Sequence, residues 1–249
     1  VIGKALDISE LFADGYEAVF IGSGAGLPRF LGVPGEDYIG VYSANEYLSR
    51  INLMRANLPE YDTPMKPAGR VCVVGGGNVA MDAARCALRV GAESVTIVYR
   101  RSMDELPARA EEVHHSMEEG IIFKLLTNPV AVLGDEKEHV RGMECVEMEL
   151  GEPDESGRRR PVEKKGSNFE LPCDTVIAAI GTDPNPLLRT ATPELEVNRW
   201  GCLKVDDRLE TTYPHVYAGG DAVTGAATVI EAMGAGKRTA KSILEQLGI

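Results

Sequence analysis

The segment 71–101 constrains what this chain can fold into more than any other. It opens with a short apolar run, Val71-Cys72-Val73-Val74, and passes at once into Gly75-Gly76-Gly77-Asn78-Val79-Ala80-Met81-Asp82. A buried strand followed by small residues at three set positions predicts a strand-turn-helix unit. Gly75 permits the tight turn, Gly77 lets another group approach the backbone, and Ala80 lets the new helix lie close to the sheet. Val79, Ala83, Cys86, Ala87 and Val90 recur at helical spacing, and Gly91 stands where a left-handed residue would close the helix. The run 95–99 then reads as a second strand, completing a βαβ unit.

The unpaired N–H groups at the start of that helix would face the phosphates of a dinucleotide. Which dinucleotide is decided at the end of the second strand, where an acidic residue usually meets a free ribose 2′-hydroxyl. Here the chain has Arg100 and Arg101, while Glu93 precedes the strand and Asp104 and Glu105 follow it. Two guanidinium groups suit a 2′-phosphate, so NADP(H) is expected. Neighbours on a strand point to opposite sides, which makes Arg101 the weaker candidate. The competing reading is a glycine turn without a ligand, with arginines that only solvate a strand end.

A chain of 249 residues, 44% hydrophobic, can fill one large or two medium domains. The formal charge of −12 argues against nucleic acid or an anionic membrane as a partner. Cys72, Cys86, Cys145, Cys173 and Cys202 are odd in number and scattered, which suits buried free thiols in a reducing compartment. Their spacing contains no Cys-x-x-Cys and assembles no iron–sulfur or zinc set. No signal-peptide pattern or apolar run of spanning length is read, and a cytoplasmic location is expected. His114, His115, His139 and His215 read as solvated or structural, and no catalytic side chain is assigned.

The chain starts at Val1 and reaches a strand-like run at 18–21 almost at once, the pattern of a fragment. That run and 175–180 both lead into glycine and a small hydroxyl residue, and they read as equivalent strands flanking an insertion. Runs 121–126, 130–133 and 140–150 read as further strands, broken at Asn128-Pro129 and Gly134-Asp135. Residues 152–167, with Gly157 and the basic run Arg158-Arg159-Arg160, read as an exposed hairpin tip, a solvated face being favoured over a phosphate site. Near the carboxyl end, Val216-Tyr217-Ala218-Gly219-Gly220-Asp221 runs from strand into turn, and the next helix offers N–H groups at Ala227, Thr228 and Val229. Asp221 by itself reads equally as a ligand for a sugar alcohol and as a turn or cap residue.

Taken together these residues resemble the two-dinucleotide-domain flavoproteins, the pyridine nucleotide-disulfide oxidoreductase-like family. Within it the likeness is closer to the small, or beta, subunit of NADPH-dependent glutamate synthase and its relatives. Besides the glycine segment, the likeness rests on Leu31-Gly32-Val33-Pro34-Gly35, on Gly40-Val41-Tyr42-Ser43-Ala44-Asn45-Glu46-Tyr47-Leu48, on Tyr99-Arg100-Arg101 and on Leu106-Pro107-Ala108-Arg109-Ala110-Glu111-Glu112. It implies an α/β fold in which a Rossmann-like NAD(P)-binding domain is inserted in a partial FAD-binding α/β domain, with a β-rich meander. The expected boundaries are 1–42, 43–182 and 183–249.

The resemblance implies NADP(H) contacts at Gly75, Gly76, Gly77, Asn78, Val79 and Ala80. It adds Asp82, Arg100 and Arg101, with Arg109 a weaker candidate, and places Ala179, Ile180 and Gly181 near the nicotinamide. Gly220 and Asp221 resemble the family's second FAD fingerprint, with Ala227, Thr228 and Val229 toward the pyrimidine end of the flavin. The implied activity is hydride transfer from NADPH to FAD, as electron input through iron–sulfur clusters to a large glutamate synthase subunit or another electron-accepting subunit. The family's cysteine-rich cluster domain and first FAD glycine motif are not among these residues, so NADP(H) binding with little tightly held FAD is expected. The alternatives are the reductase subunit of a ferredoxin–NADP oxidoreductase or of a dihydropyrimidine-dehydrogenase-like complex, or a non-catalytic NADP(H)-binding fragment. Association into a homo-oligomer is left open.

Overall fold

The computed structural model describes residues 1–66, 69–154 and 157–249. The chain divides into two units, one made of Val1–Leu27 with Gly181–Ile249 and the other of Pro28–Ile180. The first crossing thus precedes the 42/43 boundary read from the sequence, because Val41–Ser43 is a strand of the second unit's sheet.

That sheet has five parallel strands, in the order Val41–Ser43, Thr175–Ala178, Arg70–Val74, Ser94–Val98 and Ile122–Lys124. Successive side chains on a strand face opposite ways, and both faces are covered. Val71 and Val73 pack with Val95, Ile97 and the alanines of the helix Asn78–Arg89. Cys72 and Val74 pack on the other side with Val132, Val140, Met143 and Cys145 of an antiparallel meander. A central strand buried on both faces explains why 71–74 is an unbroken apolar run rather than an alternating one.

The helix Asn78–Arg89 ends as its sequence predicts. Gly91 takes φ +99 and donates to Leu88 O, and Ala92 donates to Ala87 O, a left-handed closure that satisfies two terminal carbonyls. Its buried residues are Ala80, Met81, Ala83, Ala84 and Ala87. Val79, expected on the buried face, is instead 47% exposed in the helix's first turn.

The meander joins Thr127–Gly134, Val140–Pro153, Arg159–Glu163 and Phe169–Pro172. Asn128-Pro129 does not break it. The strand runs through, with a register shift between Pro129 and Ala131 that absorbs the missing proline N–H. Ile122–Lys124, expected among the hairpins, is the outer parallel strand beside Ser94–Val98. Arg159 and Arg160 of the basic run lie in the strand Arg159–Glu163 rather than in a tip or loop, and residues 155 and 156 of the segment read as tip or loop lie outside the described residues.

In the first unit Val19–Ile21 pairs in parallel with Val216–Ala218. Ile8, Ile21, Leu195, Leu203, Val216, Ala218 and Ala222 form its core. The runs at 18–21 and 175–180 are therefore not equivalent: the first belongs to this small sheet, and Thr175–Ala178 lies inside the five-stranded one. Both are short apolar runs leading into glycine, and that shared pattern says nothing about which sheet receives them.

Four of the five cysteines are buried, Cys86 is half-buried, and no disulfide joins any of them among the described residues. The sequence scatters them, but the fold gathers Cys72, Cys145 and Cys173 into one core. There a hydrogen bond with Cys173, and then burial, push the Cys72 thiol far up, and burial pushes Cys145 up to about 12.

Candidate dinucleotide-binding site

The strand Arg70–Val74 hands the chain to three glycines that the structure treats differently. Gly75 has φ +142, and a Cβ there would collide with the carbonyl oxygen of Ala179, just past the neighbouring strand. At Gly76 a Cβ would lie 2.7 Å from Leu106 and 2.8 Å from the Tyr99 ring. At Gly77 it would meet nothing within 4 Å. Protein fills the space beside the first two glycines, and the space beside the third is open.

Gly77 is also the N-cap of the helix Asn78–Arg89, whose first turn contains no acidic residue. The positive end of the helix therefore stands uncompensated beside an open backbone surface, a setting that fits a phosphate group. Asp82 comes one turn later and is exposed. Partial desolvation, and then the neighbouring Glu112, hold its carboxyl above the usual range.

The loop after the strand Ser94–Val98 closes over this turn. Tyr99 is buried, and its hydroxyl donates to Glu105 O at 2.7 Å. Ala108 N–H donates to Gly76 O at 3.1 Å, and Arg109 N–H to Asn78 Oδ1 at 2.9 Å. The Asn78 amide thus ties the helix start to the loop, and the Arg109 side chain is exposed. Sequence reasoning assigned no task to Tyr99 or Ala108, and for Gly76 the resemblance implied an NADP(H) contact rather than packing against Tyr99 and Leu106. The motifs around 99–101 and 106–112 were visible, but nothing in them shows that they pack on the glycine turn.

The structure separates the two arginines. Arg100 is exposed and makes no side-chain hydrogen bond or ion pair among the described residues. Arg101 is 6% exposed, and its Nε donates to Arg159 O at 2.8 Å while Nη2 pairs with Asp154 Oδ2 at 2.6 Å. The expectation of two guanidiniums standing together for one phosphate is revised accordingly: Arg101 is committed to the meander. Ala179 and Ile180, just past the carboxyl end of the strand Thr175–Ala178, are half-buried, with Ala179 N–H donating to Val74 O, and Gly181 is exposed.

In the first unit, Gly220 has φ +66 and leads into the one-turn helix Asp221–Thr224. Two of the three N–H groups expected to be open here are taken. Ala227 N–H donates to Asp221 Oδ1 at 3.2 Å, because the loop folds back on that carboxylate. Thr228 N–H donates to Glu231 Oε2 at 3.0 Å within a capping box that starts the helix Val229–Leu247. Among the described residues Val229 N–H is the one of the three without such a partner, and the Val229 side chain is 75% exposed.

Among the described residues no helix is long and apolar enough to cross a membrane, and no three His, Cys, Asp or Glu side chains gather as a metal site.

The chain is 45% identical over 249 residues to the NADP(+)-dependent formate dehydrogenase subunit beta of Moorella thermoacetica, covering 99% of this chain and 34% of that protein. It is 37% identical over 254 residues to the glutamate synthase [NADPH] small chain of Halomonas elongata, covering 100% and 53%. The chain spans about a third to a half of the length of these relatives. Among solved structures, FprA of Mycobacterium tuberculosis in complex with NADPH shares the fold, with a TM-score of 0.79 at 22% identity over 100% of this chain and 67% of that one. The profile of one family matches residues 3–236. On this evidence the chain belongs to the pyridine nucleotide-disulphide oxidoreductase family.

Proposed function

We propose that this chain binds NADP(H) in its Pro28–Ile180 unit and acts as the NADPH-using part of a flavoprotein oxidoreductase. The observation that carries this reading is the open backbone at Gly77, at a helix start free of acidic residues, together with the exposed Arg100 at the end of the next strand. Residues 75–80 would receive the pyrophosphate on backbone N–H groups, with the Gly77 surface allowing close approach. Arg100 would hold the 2′-phosphate, and Arg109 stands exposed as a second cation. Asn78 keeps the helix start and the loop in register through Arg109 N–H. Ala179, Ile180 and Gly181 are the proposed neighbours of the nicotinamide.

When bound, NADPH supplies a hydride and FAD accepts it, chemistry that belongs to the cofactors. The chain's own contribution is to bind, to orient and to keep water out, so no acid or base is assigned. For the flavin the present residues fit in part. Gly220 and Val229 are available in position, while the Asp221 carboxylate is engaged by the Ala227 N–H and the Thr228 N–H by Glu231. We therefore infer an incomplete flavin site and weak FAD retention.

The physiological role we favour is electron input, in the cytoplasm, to a glutamate-synthase-like enzyme with a large partner subunit, supported by the relatives that carry that name. The 45% identity to a formate dehydrogenase beta subunit favours a second reading, in which the same NADP(H) site serves a different partner. A neighbouring gene for a glutaminase-bearing large subunit would favour the first, and one for a formate-oxidising subunit the second. The activity is tested by NADPH-dependent dye reduction with and without added FAD. Turnover that depends on added FAD is expected; no turnover under either condition would overturn the oxidoreductase reading for this chain.

A further inference from the structure

The loop that presents Arg100 is fastened to the meander by groups that nucleotide binding does not itself require. Glu105 is 6% exposed, and its carboxylate accepts from Ser102 N–H at 3.2 Å, from the Ser102 hydroxyl and from Arg159 Nε at 2.7 Å. Arg159 also accepts at its main-chain oxygen from Arg101 Nε, and Asp154 pairs with the other end of the same guanidinium. One arginine on the hairpin arm Arg159–Glu163 thus reaches the loop twice. At its far end the loop is held to the glycine turn through Ala108 and Arg109.

These ties have a consequence for Arg100. Arg100 lies in a bend between two anchored neighbours: Tyr99 and Arg101 are both buried and tied, and Arg100 is exposed, so the two anchors fix where the Arg100 main chain sits. Arg101 is buried, and its charge stays there only while Asp154 and Arg159 O satisfy it. Released, it would compete with Arg100 for solvent and for any anion. A guanidinium already held in place loses less freedom on binding a phosphate than one free to wander.

We infer that Arg159, Asp154 and Glu105 are positioning residues for 2′-phosphate selectivity: the meander braces the loop from behind and so sets the nucleotide preference without touching the nucleotide. The inference rests on the NADP(H) reading above and names what regulates that site.

The test is calorimetric titration of the full chain with NADPH and with NADH, for the wild type, Arg159→Met, Arg159→Lys, Asp154→Asn, Arg100→Met and the Arg100→Met/Arg159→Met double variant. Arg159→Met should weaken NADPH about tenfold and leave NADH within about twofold, the signature of a lost charge-assisted contact with the extra phosphate. Arg159→Lys should recover most of that loss. The double variant should bind NADPH no worse than Arg100→Met alone, because both changes remove one interaction. Equal losses for both nucleotides, or full additivity in the double variant, would overturn the inference. Should Arg159→Met fail to fold by circular dichroism, Asp154→Asn, which keeps the side-chain size, carries the same expectation. A wild type that prefers NADPH, with variants that keep the same preference, sinks the brace alone. A wild type with no preference sinks the cofactor reading, and the brace with it.

Discussion

Gly75, Gly76 and Gly77 stand side by side in the sequence and do three different things in space. Gly75 lets two strand ends meet, Gly76 receives the Tyr99 ring and Leu106, and Gly77 borders open space. Gly77→Val should therefore abolish NADPH and NADH binding together while the thermal midpoint falls little, as titration and a melt would show. Gly75→Ala should do the reverse and cost stability first. Positive-φ strain of roughly 1–3 kcal/mol plus the clash with Ala179 O should lower the denaturant midpoint clearly. Arg100→Ala should weaken NADPH by about ten- to a hundredfold and leave NADH nearly unchanged, since the 2′-phosphate is the part of NADPH that NADH lacks. The tasks of Gly75, Gly77 and Ala80 were legible because the backbone itself imposes them. That of Gly76 was not, since its partners arrive from a loop twenty and more positions on. Nor could the sequence say that Arg101 is consumed by Asp154, a contact that exists only once the meander has folded against the loop.

The helices and strands were readable where one periodicity dominates. The helix Asn78–Arg89 declared both ends, with a glycine N-cap and Gly91 beyond its last turn. Short apolar strands were recognisable as strands, but their sheet and direction were not, as Val19–Ile21, Thr175–Ala178 and Ile122–Lys124 illustrate. Carboxylates that fasten elements together set the acid stability. Arg85 and then Arg89 hold Glu119 below its ordinary 4.5, tying the helix Asn78–Arg89 to Ala110–Glu118, and Arg70 holds Asp174 below its ordinary 3.8 across adjacent strands. Groups with a lowered folded pKa contribute stability that is complete above their unfolded values and is lost as pH falls through the folded ones. The thermal midpoint should hold steady down to about pH 5 and then drop, and Arg85→Met should flatten that drop. At the helix Val229–Leu247, Thr228→Ala removes the capping box and should cost about 1 kcal/mol in denaturant unfolding.

At the scale of the whole molecule, the chain has one unit, Pro28–Ile180, with both faces of its five-stranded sheet covered, and a second unit with a two-stranded parallel sheet. It spans about a third to a half of the relatives named above. The purified chain should bind FAD weakly, so that gel filtration strips the yellow colour. Stoichiometric flavin after that step would contradict the incomplete site. The family was legible because its motifs lie along most of the chain, and the partner proposed above was not, because none of those motifs specifies it. The most direct test of the central claim is a calorimetric titration of the unmodified chain with NADPH and, in parallel, with NADH. The account predicts one saturable site per chain that favours NADPH by about tenfold or more, the worth of one charge-assisted phosphate contact. Equal affinity for the two nucleotides, or no binding of either, would contradict it.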